Sequence, residues 1–164
     1  MQETKNNKII TPLLAKSKAE QYCVYQERCQ AEVRNKLKEW KIEHDVIENI
    51  IVDLIENNFI NEERYSLAYA GGKFRINKWG KIKIKLGLKQ HNISEYCIKK
   101  ALQTINEDDY IETIMKLIEK NSKENKESNI LKKMNMIIRS IVSKGYEWDL
   151  VNDAVREKFN NLES

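Results

Sequence analysis

Only five glycines and one proline occur in 164 residues. A many-stranded sheet needs frequent turns, and turns draw on glycine and proline for backbone angles that other residues disfavour, so this chain is expected to be helical. The apolar spacing agrees. Val46, Ile47, Ile50, Ile51, Leu54 and Ile55 recur at the three-and-four interval of one helix face, as do Ile130, Met134, Ile137, Ile138, Ile141 and Val142. Tyr110, Ile114, Leu117 and Ile118 form another such stripe, and Trp148, Val151, Ala154, Val155 and Phe159 a fourth.

Helix starts can be read between the stripes. Thr11-Pro12 places a capping hydroxyl before the proline that suits a first helical position. Asn61-Glu62-Glu63 and Asn106-Glu107-Asp108 each set an amide cap before carboxylates that favour the positive end of the helix dipole. NEERY (61–65) and NEDDY (106–110) are near copies, which points to an internal repeat. Val33, Leu37, Ile42, Ile47, Ile50 and Ile51 align with Ile84, Leu88, Ile93, Ile98, Ala101 and Leu102, and again with Ile137, Ile141, Tyr146, Val151, Ala154 and Val155. Before the third position of each set stands Lys41, Asn92 or Gly145. Glycine and asparagine end helices by entering the left-handed conformation, so this slot reads as the turn between two helices, with Lys41 its poorest fit. The expected fold is all-α: a tail over 1–10, then three tandem three-helix repeats over 11–60, 61–105 and 106–164. Such an array buries its core between neighbours and lies extended, which suits contact with something long.

Two segments strain this pattern. WGKIKIKLGLK (79–89) alternates apolar and basic residues as a half-buried strand would, but alignment of Ile84 and Leu88 with Val33 and Leu37 selects a helix. That helix leaves Trp79, Ile82 and Leu86 as a second apolar stripe without a place in its own repeat. Gly71-Gly72 would together cost a helix interior roughly 2 kcal/mol, so the helix from Glu62 is expected to bend or stop there.

The net charge of +4 conceals its distribution. Residues 1–60 carry −1, residues 61–105 carry +7 and residues 106–164 carry −2. Between Glu63 and Glu95 there is no acid, yet there are eight cations: Arg64, Lys73, Arg75, Lys78, Lys81, Lys83, Lys85 and Lys89. Soluble surfaces ordinarily mix signs, so this run points to an anionic partner, phosphate or carboxylate. Trp79 beside it could stack on a base or anchor helix packing, and the second is the commoner use of a tryptophan. Upstream, Glu43, Asp45, Glu48, Asp53, Glu56, Glu62 and Glu63 occur without an intervening Lys or Arg. No histidine joins them and their spacing follows no metal loop, so an acidic outer helix face is expected, with no metal or cofactor.

Other classes find little support. No apolar run approaches the ~18 residues of a spanning helix. The opening MQETKNNKIITPLL lacks an apolar run ending in a cleavage site, so a cytoplasmic protein is expected; it is also expected to be a monomer. Cys23, Cys29 and Cys97 are odd in number and lack zinc spacing, and are read as reduced core or helix-end residues. His44 and His91 sit at turns, outside any catalytic motif, and no glycine-rich phosphate loop exists, so no enzyme is expected.

These residues also carry a resemblance that covers the chain from about Ala19 onward. Ala19, Tyr22, Cys23 and Arg28-Cys29-x-x-Glu32-Val33-x-x-x-Leu37 resemble the opening of the RecX family of bacterial recombination regulators, in which a serine usually stands at Cys29. Asn61-Glu62-Glu63-Arg64-Tyr65 resembles the family's acidic-Arg-Phe start, and Tyr69, Arg75, Gly80, Lys83, Ile84, Leu88 and Ile93 fall on its aromatic, basic, glycine and R-I-x-x-x-L-x-x-x-x-I positions. Lys81 stands where proline is common, Leu86-Gly87 replace polar residues, and Asn92 replaces glycine. The resemblance implies an elongated, curved, non-catalytic helical protein that binds the RecA–DNA filament and modulates, mostly inhibiting, RecA ATPase and strand exchange. The eight cations of 64–89 are then the expected contacts to RecA or DNA. The alternative is a free-standing DNA-binding protein, since paired helices with a short turn look like a helix-turn-helix. Its reading helix, SEYCIKKALQTI, offers only Lys99, Lys100 and Gln103, which suits phosphate contact better than base readout.

Overall fold

A computed structural model of the chain describes residues 10–160, and among these it contains nine α-helices and no strand. They are α1 (Pro12–Tyr25), α2 (Gln30–Glu39), α3 (His44–Glu56), α4 (Glu62–Arg75), α5 (Lys81–Gln90), α6 (Glu95–Gln103), α7 (Glu107–Glu124), α8 (Ile130–Val142) and α9 (Trp148–Asn160). Most of the expected 1–10 tail, and residues 161–164, lie outside the described residues. Two compact units form, one ending at Tyr65 and the other beginning at Ser66.

In the first unit α1, α2 and α3 enclose Ala15, Ala19, Cys23, Val33, Leu37, Ile47, Ile50, Ile51, Leu54 and Ile60. The Thr11 hydroxyl accepts from the Leu14 N–H at 3.3 Å, the cap expected of Thr11-Pro12. At α2 the capping residue is Cys29, whose own N–H donates to the Glu32 carboxylate at 3.1 Å. The position is an N-cap, where a hydroxyl, such as that of the serine expected from the resemblance, is a better acceptor than a thiol.

The aligned turn slot is left-handed in every copy, with φ of 60° at Lys41, 57° at Asn92 and 92° at Gly145. In the first two the following N–H reaches back to the same relative carbonyl, Ile42 to Leu37 and Ile93 to Leu88, each at 3.2 Å. Thus even the lysine obeys the slot, because the helix-closing hydrogen bond outweighs the ~1 kcal/mol that a Cβ costs there. The aligned apolar positions are buried except Ile42, Leu102 and Ala154, which are half-buried. The stripes are less complete at their ends, since Ile55, Ile130 and Trp148 are exposed.

The second unit shows no stop at Gly71-Gly72. Helix α4 runs unbroken through Gly71 and Gly72 to Arg75, held by burial of Ala70 and Phe74 on its inner side. The Arg75 guanidinium lies where a side chain on Gly71 would begin, while Gly72 faces open space. Residues 81–90 form the helix expected from the repeat, with Ile84 and Leu88 fully buried. Phe74, Tyr110 and Tyr146 form a line of rings, 5.8 and 5.0 Å between centroids, that ties α4 to the third triplet. The start of α5 lies directly on the α8–α9 turn. An added Cβ on Gly80 would come within 2.2 Å of the Gly145 carbonyl oxygen, and one on Gly145 within 2.3 Å of the Lys83 Cβ. Gly145 therefore serves both the left-handed turn and this close approach.

Candidate polyanion-binding surface

The eight cations are placed by α4, the α4–α5 turn and α5. Three residues past the end of α4, Lys78 takes φ of 56°, so that the Trp79 N–H turns back to the Lys73 carbonyl at 3.1 Å. This folds the half-buried indole beneath two ammonium groups, Lys73 Nζ at 4.8 Å and Lys83 Nζ at 4.7 Å from its ring centre. Each such contact contributes about 0.5–1 kcal/mol and, more usefully here, orients a flexible lysine. The Trp79 ring is thus engaged by two lysines of its own segment.

The amide end of α5 is closed to anions. Gly80 N–H donates to the Lys144 carbonyl at 2.9 Å, Lys81 N–H to the Tyr110 hydroxyl at 3.0 Å and Ile82 N–H to the Gly145 carbonyl at 3.0 Å. The groups that would otherwise attract a phosphate to a helix start are already bonded.

Not all eight cations are equally available. Arg64 belongs to the first unit, where its Nε donates to Glu27 at 2.5 Å and its Nη2 to the Asn58 carbonyl at 3.0 Å, closing the α3–α4 loop. Lys81 pairs with Glu107 and lies 4.7 Å from the Tyr110 ring centre. Lys89 and Lys85 share Glu95, at 2.7 and 3.6 Å, and the Lys89 hydrogen bond holds that carboxyl below the usual carboxylate range. Lys73, Arg75, Lys78 and Lys83 make no ion pair among the described residues. Their positive charge is the uncompensated part of the run.

Sequence reading missed a continuation of this surface. Lys78 lines a cleft together with Thr113, Lys116, Leu117, Lys120 and Lys144, with Glu124 its one carboxylate. Lys116 and Lys120 stand one turn apart on α7, an interval visible in the sequence, but the net −2 of residues 106–164 conceals them. Of the upstream acids, Glu48 is held by Arg34 at 2.7 Å and Asp53 by Lys16 at 2.9 Å. Among the described residues no group of three or more His, Cys, Asp or Glu could hold a metal, and no helix is long and apolar enough to cross a membrane. His44 is exposed, whereas His91 is half-buried edge-on to Tyr69 at 5.7 Å.

Comparison with known proteins bears on the same elements. The family model described as RecX, first three-helix domain, matches residues 15–54, and that described as RecX, second three-helix domain, matches residues 61–102. A "Regulatory protein RecX" of Clostridium perfringens is 36% identical over 136 residues, covering 82% of this chain and 63% of the relative, so the chain spans about 63% of that protein's length. The protein of the same description from Clostridium acetobutylicum is 31% identical over 152 residues, covering 90% of this chain and 70% of the relative. The crystal structure of RecX from Lactobacillus salivarius aligns with a TM-score of 0.76 at 27% identity, covering 89% of this chain and 95% of that one.

Proposed function

The chain belongs to the RecX family, and on that premise we propose that it is a regulatory protein that binds RecA assembled on DNA and modulates, chiefly by inhibiting, RecA ATPase and strand exchange in recombination and repair. It acts in the cytoplasm as a monomer, by binding alone. The observation that carries the reading is the acid-free run from Arg64 to Lys89, in which Lys73, Arg75, Lys78 and Lys83 have no carboxylate partner among the described residues. A local field of one sign is suited to the phosphates of the DNA within such a filament, and the lysines of the adjoining cleft extend it. A protein that bridges neighbouring RecA molecules in one filament state opposes the changes of ATP turnover, and one that occupies the groove excludes a second strand. Binding one state tenfold more tightly shifts the equilibrium between states by about 1.4 kcal/mol.

The test is a RecA ATPase assay on single-stranded DNA with the wild type and with Lys73→Glu/Arg75→Glu/Lys78→Glu. Lys81, Lys85 and Lys89 are left intact because reversing them would set like charges against Glu107 and Glu95. The expected result is inhibition by the wild type and its loss in the triple variant, with an unchanged circular dichroism spectrum; equal inhibition by both removes the phosphate role. Tight binding to bare DNA of one preferred sequence, without RecA, would instead favour a free-standing DNA-binding protein.

A further inference from the structure

The second apolar stripe of residues 79–89 has no place in the unit's core. Ile82 is 47% and Leu86 56% exposed, although both lie on a helix whose first amides are fixed to the third triplet. At about 100° per residue, the outward arc of α5 reads Lys85, Lys89, Ile82, Leu86, Gln90, Lys83. The two aliphatic chains occupy its centre and the lysines its edges. A solvated helix face has the opposite order, with apolar residues confined to the inner side, whereas an apolar centre with a charged rim is the pattern of a protein contact.

We infer that the outer face of α5 docks a protein surface of complementary pattern, an aliphatic ridge bordered by Asp and Glu. The inference rests on the reading above that the chain acts on an assembled protein, and it divides the labour within the basic region. Phosphate supplies charge but no aliphatic surface, and single-stranded bases are held on aromatic side chains rather than on Ile or Leu, so the outer face of α5 suits a protein carboxylate. Lys73, Arg75 and Lys78 lie outside this arc and remain for nucleic acid. Glu95 marks where the incoming acid would sit: bonded to Lys89 and Lys85, it stands in for a partner carboxylate in the free protein and must be displaced or joined on docking.

Binding of the wild type, Ile82→Ser/Leu86→Ser and Glu95→Gln is measured against RecA assembled on a labelled single strand, and against that strand alone. The double serine variant is expected to lose at least tenfold in affinity for the assembly with bare-DNA affinity unchanged. Glu95→Gln, which frees two ammonium groups, is expected to gain severalfold. A double variant that binds the assembly like the wild type overturns the docking face, as does one that loses bare-DNA affinity to the same degree, which would turn the stripe toward nucleic acid. A wild type that fails to bind the assembly removes the proposed function and this inference with it. Both substituted chains are exposed, so melting temperatures within a few degrees of the wild type confirm that folding is not being read.

Discussion

Tyr146 is fully buried, and its hydroxyl has no hydrogen-bond partner among the described residues. Its neighbour Tyr110 is the contrast, donating to Glu147 at 2.7 Å while accepting from the Lys81 N–H. A buried orphan hydroxyl carries a desolvation cost of about 1–3 kcal/mol with nothing to offset it. Burial also pushes the Tyr146 phenol above its ordinary range. Above a pH of about 10 the unfolded chain releases this proton while the folded one keeps it, so the unfolded state holds fewer protons and stability falls as pH rises. Tyr146→Phe keeps the ring at 5.0 Å from Tyr110 and removes both effects. Denaturant melts are expected to show equal or higher stability at pH 7, by up to about 1 kcal/mol, and a shallower alkaline decline, by up to about 1.4 kcal/mol per pH unit from this one group. A loss above 1 kcal/mol at pH 7 would mean that the hydroxyl is satisfied after all.

At the scale of the helix, α4 poses the question of what its two glycines are for. Gly71 admits the Arg75 guanidinium, but Gly72 has open space around it and an ordinary helical conformation. Gly72→Ala is therefore expected to raise stability by roughly 1 kcal/mol, read as a higher thermal midpoint, because the helix keeps its contacts and the unfolded chain loses freedom. No change, or a decrease, would show that the glycine has a use the free chain does not reveal. The helix does not stop here because glycine's cost is local, whereas Ala70 and Phe74 draw their stabilisation from packing that no window of sequence displays. The turn slots were legible for the opposite reason. A left-handed residue closing a helix is a local device, so even Lys41 could be placed from its aligned neighbours. Cys29 stands between these cases: its cap role is local, but a thiol does not announce one, and only the resemblance put a serine beside it.

At the scale of the whole molecule, charge was legible as a run and illegible as a surface. Arg64 meets Glu27 across 37 residues of sequence, Lys81 meets Glu107 across 26, and such pairings remove cations from a count that treats them alike. The converse error hid Lys116, Lys120 and Lys144 inside a segment of net −2, although they line the cleft that Lys78 enters. If that cleft carries nucleic acid, its lysines release counterions from the strand, each phosphate so neutralised adding about 0.7 to the slope of log affinity against log salt on single-stranded DNA. The variant Lys116→Gln/Lys120→Gln/Lys144→Gln is then expected to bind a single strand more weakly at every salt concentration, with a slope smaller by about 2. Because Lys116 and Lys120 are also ion-paired with Glu112 and Glu124, at 2.7 and 3.9 Å, freeing those carboxylates adds repulsion, so the affinity should fall further than the slope alone requires. An unchanged slope in anisotropy titrations between low and physiological salt would confine phosphate contact to Lys73, Arg75 and Lys78, and would leave the α7 lysines as partners of their own helix.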